Sequence, residues 1–110
     1  MQHFMASMSM LVLGHRNQKF SNTMEILCML PKWPNFITMT SLIDELRVGS
    51  KRDAAVQNAR DLRNHFYGLK RMDIEVIVDR YDGKRICGID PKSWNKAKEI
   101  GQIYWDQVYG

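Results

Sequence analysis

The basic side chains of this sequence are concentrated in one stretch, from Arg47 to Arg71. That stretch holds seven Lys or Arg residues against two Asp, a local charge of +5, whereas the whole 110-residue chain carries +4. Clustered cations of this kind suit a polyanionic partner. Amide side chains among them, such as Gln57 and Asn64, can form paired hydrogen bonds with base edges. The stretch therefore predicts contact with a nucleic acid, and a solvated helix face with local ion pairs is the alternative.

One long helix, from about Lys51 to Tyr67, would present these side chains together. Apolar residues recur in it at alternating steps of four and three, which predicts a single buried stripe. The residues predicted to contact nucleic acid lie at its start and on its polar side: Ser50, Lys51, Arg52, Gln57, Arg60, Arg63 and Asn64. Arg pairs bidentately with guanine, and Asn or Gln with adenine. Asp61 is expected to position an arginine rather than to contact the nucleic acid.

A β-hairpin is predicted directly after this helix. Two β-branched runs, 74–80 and 85–89, flank Asp82-Gly83, which is typical of a two-residue turn with positive φ at both positions. Cations at a hairpin tip suit contact with phosphates or a minor groove, although a turn kept polar against edge aggregation is the alternative. The hairpin residues predicted to make that contact are Arg80, Lys84 and Arg85.

The remaining elements are shorter. Possible N-caps at 20–23 precede an apolar helix over 24–30, which Pro31 ends, and a short strand follows at 36–38. A capped helix is predicted over 40–46, and a last amphipathic helix begins after Ser93 and runs to about Val108. This order predicts an α+β fold of the winged helix-turn-helix type, a three-helix core plus a β-hairpin wing, with an extra C-terminal amphipathic helix.

Several short motifs between residues 21 and 90 fit a known pattern. They are Met24 to Leu30, Trp33, Ile37-Thr38, Ser41 to Leu46, Val48, Arg60 to Arg63 and the Tyr81-Asp82-Gly83 wing. In these residues the chain resembles the N-terminal winged helix-turn-helix domain of DeoR-like bacterial repressors. Val48 and Arg60 are twelve residues apart, a longer spacing than that family usually has, which predicts a longer turn or third helix. The resemblance implies a small repressor-type transcription regulator of bacterial, phage or mobile-element origin. It implies that the third helix reads the major groove of double-stranded DNA and that the wing contacts the backbone.

The C-terminal segment, residues 91–110, is rich in aromatic residues for its length. A terminal amphipathic helix usually packs on its own domain, but two Trp and two Tyr exceed what one small core needs. We therefore predict a homodimer, with the contact residues Trp94, Ile100, Tyr104, Trp105 and Val108. Residues 1–20, with four Met in the first ten, are expected to form a poorly ordered arm before the domain at 21–90.

Enzymatic function finds little support in the sequence. The three His residues are scattered, and no Cys/His spacing matches a metal site. Neither a Gly-rich phosphate loop nor a nucleophile elbow is found. A set of hairpin residues, Asp73, Glu75, Asp79 and Lys84, loosely resembles a metal-dependent nuclease core, but alternating charges on an exposed hairpin face explain it better. We expect no enzymatic activity, no cofactor and no small-molecule substrate.

The remaining expectations concern location and the alternative function. No segment is long and apolar enough for a membrane helix, and no signal peptide is recognised. Cys28 and Cys87 are far apart in apolar surroundings, which predicts buried free thiols in the cytoplasm. The alternative function is a winged-helix adaptor that binds another protein and not DNA. Single-strand binding would need exposed aromatics interleaved with basic residues, and the basic helix carries aromatics only at its C-terminal end.

Overall fold

The computed structural model describes residues 18–49 and 56–110. Within these residues the chain forms α1 (Gln18–Met29), β1 (Ile37–Thr38), α2 (Met39–Gly49), α3 (Ala59–Lys70), β2 (Val76–Tyr81), β3 (Lys84–Ile89), a short 3₁₀ helix (Pro91–Ser93) and α4 (Trp94–Val108). The fold is α+β, as predicted, because the four described helices accompany a three-stranded antiparallel sheet of strand order β1-β3-β2. Four of the predicted features lie outside the described residues, namely the arm up to residue 17, Ser50, Lys51 and Arg52.

The hairpin forms in the predicted register. Val78 lies opposite Cys87 and Val76 opposite Ile89. Asp82 and Gly83 have φ angles of 53° and 75°, which are the positive values that a two-residue hairpin turn requires. Alternate residues of a strand share one face, so this register turns the buried Cys87 and Ile89 towards the core.

The loop after α1 lies against the last residues of β3. The Ile89 N–H donates to the Pro31 carbonyl at 2.8 Å, and the Trp33 N–H donates to the Ile89 carbonyl at 2.8 Å. This close approach requires Gly88, since a Cβ at that position would lie 2.9 Å from the Asn35 carbonyl oxygen. The two hydrogen bonds fix the end of α1 to the base of the hairpin.

The first two helices begin earlier than predicted. Residues 21–23, expected as N-caps, lie inside α1 and are buried. Thr23 does not cap the helix, because its hydroxyl oxygen lies 2.7 Å from Nδ1 of His65 on α3. The start of α2 is capped by Thr38, whose hydroxyl oxygen accepts the Ser41 N–H at 3.1 Å. Both predicted caps are therefore wrong: Thr23 bonds to another helix, and the cap of α2 is Thr38, two residues before Thr40.

The predicted bounds of the third helix, about 51–67, are wrong at both the start and the end. The structure has α3 from Ala59 to Lys70, and 56–58 are not helical. The helix ends in a Schellman motif, in which Asp73 adopts φ 60° and the Ile74 N–H donates to the Leu69 carbonyl at 3.0 Å. Glycine usually occupies this left-handed position, so an aspartate there gave no signal for the helix end.

The hydrophobic core lies between the helices and the inner face of the sheet. Helix α1 is central to it, because it packs against both α3 and α4. The largest fully buried side chains come from almost every element: Met24, Ile26, Leu42, Leu46, Val56, Leu62, Leu69, Ile74, Ile89, Ile100 and Tyr104. The positions of α3 and α4 are therefore both set by their packing on α1.

Both cysteines are free thiols, as the sequence predicts. Burial raises the pKa of Cys87 to about 12, and burial together with the nearby Glu25 charge raises the pKa of Cys28 to about 12. The Cys28 thiol donates to the Gly101 carbonyl and the Cys87 thiol to the Ile37 carbonyl, each at 3.6 Å. Since the thiolate is the reactive form, neither cysteine has the character of a catalytic nucleophile.

Candidate nucleic-acid interface

An exposed polar stripe runs along the whole of α3. Its members are spaced by four, three and four residues, which places them on one side of an α-helix. They are Arg60, Asn64, Tyr67 and Arg71, and all four are exposed. We call these four residues the α3 stripe. Two further exposed cations, Arg63 and Lys70, follow one flank of it.

The opposite side of α3 fixes the orientation of the stripe. Leu62, Phe66 and Leu69 are buried in the core. His65 is also buried, and its Nδ1 lies 2.7 Å from the Thr23 hydroxyl oxygen of α1. This contact gives His65 a structural role in joining two helices. A rotation of α3 would expose the apolar side chains, so the α3 stripe is held towards solvent.

Hydrogen bonds of two side chains define where α3 begins. The Asn58 side-chain oxygen accepts the Asp61 N–H at 3.0 Å, and the Asp61 carboxylate accepts the Gln57 N–H at 3.1 Å. Such reciprocal bonds satisfy N–H groups that the first turn leaves unpaired, and an acid there also favours the helix dipole. Asp61 therefore caps the helix, where the sequence assigned it to positioning an arginine. Gln57, predicted on the helix face, is exposed but precedes the helix.

The tip of the hairpin places two arginines side by side. Arg80 and Arg85 are directly opposite in the β2–β3 register, and Tyr81 lies opposite Lys84. Like charges in directly opposed positions destabilise a hairpin. Because alternate residues share a face, Arg80 lies on the same side of the sheet as Val78, which faces α3. The register thus places Arg80 and Arg85 on the side of the sheet that α3 occupies, and Lys84 with Tyr81 on the other side.

A shallow cleft joins the helix to the hairpin. Its volume is about 160 Å³, and it is lined by side chains of α3 and of the chain around the start of β2, one of them acidic: Arg63, Phe66, Tyr67, Lys70, Glu75, Val76 and Val78. Tyr67 is 63% exposed. The cleft connects one flank of α3 to the start of β2 and includes no residue of the hairpin tip. We call the α3 stripe, its two flanking cations and the hairpin tip together the basic surface.

Positive charge is concentrated on the α3 part of this surface, whereas the hairpin combines its three cations with Asp79 and Asp82. Residues 56–71 carry four cations against one acid, Asp61, whose carboxylate accepts the Gln57 N–H. By contrast, residues 90–110 carry three Lys balanced by three Asp or Glu residues. The described residues of α3 therefore carry an excess of cations by themselves, without counting residues 50–55.

The structure brings most of the described predicted residues together and adds three that sequence reasoning missed. Arg60, Arg63 and Asn64 lie on α3, and Arg80, Lys84 and Arg85 lie at the hairpin. The residues that were missed are Tyr67, Lys70 and Arg71. The spacing of the α3 stripe was available as a signal, but the predicted helix ended at Tyr67. In the structure Gly68 is inside α3, where a Cβ would make only ordinary contacts with Thr23 at 3.7 Å.

The residues predicted for a dimer contact divide into two groups. Ile100 and Tyr104 are 1% and 0% exposed, because they pack in the core of their own chain. They are therefore not surface residues, and this part of the predicted contact set is corrected. Trp94 and Val108 are half-buried against the core, and Trp105 remains 47% exposed. The homodimer itself stays a prediction and now depends on these three side chains.

Among residues 18–49 and 56–110, no group of three or more His, Cys, Asp or Glu side chains is placed to hold a metal ion. In the same part of the chain, no helix has the length and apolar character needed to cross a membrane. No family model, curated protein or solved structure matches this chain. The resemblance to DeoR-like repressors therefore stays a prediction, and function is argued from the basic surface.

Substitution of two asparagines, one at the N-cap of α3 and one in the α3 stripe, tests how the start of the helix is stabilised. Asn58→Ala removes the N-cap acceptor, so we expect the free energy of unfolding to fall by about 1 kcal/mol. Asn64→Ala is the matched control. Asn64 is exposed inside the helix, where alanine has the higher helix propensity, so we expect no fall in the free energy of unfolding. Urea denaturation followed by circular dichroism measures both. Equal stability of the two variants would show that Asn58 does not hold the start of α3.

Proposed function

We propose that this protein binds double-stranded DNA, with α3 in the major groove and the β2–β3 hairpin on the neighbouring backbone. The α3 stripe carries the proposal, since it combines an amide, an aromatic hydroxyl and two guanidinium groups on one exposed side of a rigid helix. Helices of this diameter fit the major groove, where base edges are distinguishable. We expect no reaction to be catalysed.

The members of the basic surface divide into base-reading and phosphate-binding roles. Arg60 and Asn64 lie one turn apart near the N-terminal half of α3, from which base edges are commonly read. Arg pairs with guanine and Asn with adenine through two hydrogen bonds each. Arg63, Lys70 and Arg71 are assigned to phosphates, which fix the position of the helix without reading sequence.

The hairpin tip supports the proposal because two like charges are placed where they destabilise the free protein. Arg80 and Arg85 repel each other in the free protein, because they are directly opposed across the hairpin. A phosphate group beside them would neutralise this repulsion. A pair of cations in this position is therefore better explained by an anionic partner than by hairpin stability.

The element order supports a more specific proposal. Three helices, a hairpin wing and a further helix agree with a winged helix-turn-helix regulator of the repressor type, from a bacterium, phage or other mobile element. Such a protein would act by occupying its DNA site. The protein-binding adaptor is the competing proposal, and salt dependence separates the two because phosphate contacts release counterions.

The phosphate contacts are tested by fluorescence anisotropy of a short labelled random-sequence duplex. We expect wild-type binding to weaken steeply between about 50 mM and about 200 mM salt. Removing two phosphate contacts with Arg63→Gln and Lys70→Gln is expected to reduce the slope of log K against log salt by about 2, at about 0.9 per contact. Lys92→Gln with Lys98→Gln removes the same charge from exposed positions near and on α4 and controls for net charge.

Two outcomes would contradict the proposal. The first is the absence of duplex binding at low salt by protein whose circular dichroism shows it to be folded. The second is an equal loss of slope in both double variants, which would mean that only net charge attracts the duplex. The first outcome would favour the adaptor function.

The opposed arginines predict opposite effects on stability and binding. Arg85→Thr removes the like-charge pair and introduces a β-branched residue, so we expect the free energy of unfolding to rise by about 0.2–1 kcal/mol. The same variant loses a cation at the hairpin tip and is expected to bind the duplex more weakly. Thermal denaturation and anisotropy measure the two effects. A variant that is less stable, or that binds as well as wild type, would contradict the assigned role of the tip.

A further inference from the structure

A second and larger cleft lies between α1 and α4, and α3 contributes no residue to it. It is open to solvent, with a volume of about 420 Å³. Its lining residues are mainly apolar or aromatic: Leu27, Cys28, Leu30, Ile89, Trp94, Ala97, Lys98, Gly101, Gln102 and Trp105. Small-molecule sites commonly have this size and combine apolar walls with a few placed polar groups.

The α4 wall of the cleft has a regular arrangement. Trp94, Lys98, Gly101 and Trp105 are spaced by four, three and four residues, so they share one side of the helix. Lys98 thus lies between two indole rings. It is the one charged residue among those that line the cleft. The cleft therefore presents aromatic surface on both sides of a single ammonium group.

The α1 wall approaches α4 at Gly101. A Cβ at this position would lie 3.7 Å from the Cys28 sulfur, so the absence of a side chain leaves space between the helices. Leu27 and Leu30 of α1 complete the apolar wall. The acids near the cleft accept hydrogen bonds from other side chains, since Asp106 accepts the Gln102 amide and Glu25 accepts the Tyr109 hydroxyl. Neither acid lines the cleft, so Lys98 is the one charged side chain that an occupant of the cleft would contact.

The predicted homodimer would also use Trp94 and Trp105, but a second copy of the chain is a poorer occupant of the cleft than a small molecule. The large exposed hydrophobics of this region are Trp105 and Tyr109, at 47% and 38% exposure. Their rings already contact each other, with centroids 4.5 Å apart. A stable interface buries about 800 Å² on each partner, and two partly exposed side chains supply a small part of that area. The concave shape suits an occupant that enters the cleft.

We propose that the α1–α4 cleft binds a small amphipathic anion, with its apolar body between Trp94 and Trp105 and its carboxylate at Lys98. The proposal goes beyond DNA binding and does not depend on it, because the cleft and the basic surface share no residue. The recognising chemistry is apolar burial combined with one ion pair, as in a medium-chain fatty acid or an aromatic acid.

The test compares three probes of equal chain length: octanoate, octanol and octylammonium. Binding is followed by tryptophan fluorescence in a Trp33→Phe background, because Trp33 does not line the cleft and its signal would dilute that of Trp94 and Trp105. We expect octanoate to bind about fivefold more tightly than octanol, because an ion pair with an exposed lysine contributes up to about 1 kcal/mol to the binding free energy. Octylammonium is expected to bind most weakly. In Lys98→Glu the order of octanoate and octylammonium is expected to reverse.

The control variant is Lys92→Glu, which makes the same charge change at an exposed residue that does not line the cleft. It is expected to leave the order of the three probes unchanged. Equal affinity for all three probes would overturn the proposal, and so would a reversal of the order by Lys92→Glu. Either result would reduce the cleft to a nonspecific apolar surface.

Alkylation of the two cysteines locates the bound probe. Cys28 lines the cleft, whereas Cys87 does not and has the same raised pKa, so it is an internal reference. Octanoate is expected to slow the alkylation of Cys28 relative to Cys87, measured by peptide mass spectrometry. No change in this ratio would place the binding elsewhere. Protection of Cys28 by raising the protein concentration alone would instead show that a second copy covers the cleft. Duplex binding is measured separately, so failure of either proposal is distinguishable.

Discussion

The burial of one side of α3 determines what its other side presents. Leu62, Phe66 and Leu69 are fixed in the core, and His65 is joined to Thr23 of α1. The polar side chains between these positions then have one direction available, towards solvent. The rigidity matters for function because a helix that reads base edges must hold its side chains in a fixed register. The candidate interface is thus a consequence of core packing and is not an independent feature of the surface.

Helix α1 is the element through which the two sites of the protein are related. It packs against α3 on one side and against α4 on another. The loop that follows it is hydrogen-bonded to the end of β3 through Pro31 and Ile89, so the base of the hairpin is fixed to the same helix. The basic surface and the α1–α4 cleft are therefore positioned by the same helix, α1, through its packing against α3 and against α4. Their separate residues allow each to be altered without changing the other.

Much of the fold was readable from the sequence, because its signals were local. The Asp82-Gly83 turn determined the hairpin register, and Pro31 marked the end of α1. The bounds of α3 were missed. Its start depends on a side-chain hydrogen bond of Asn58 and its end on the left-handed backbone of Asp73, and the spacing of the apolar residues shows neither. Of the candidate site, the arginines were identified by charge. Tyr67 was missed because the predicted helix ended there, so its place in one stripe with Arg71 was not recognised.

The central claim is that α3 and the hairpin tip together form the DNA-binding surface. Backbone amide chemical shifts, recorded while an unlabelled duplex is added, test it most directly. We expect the largest changes at Arg60, Asn64, Tyr67 and Arg71 and at the hairpin turn, with little change along α4. Changes confined to α1 and α4, or no changes at a duplex concentration that exceeds the protein's, would contradict it.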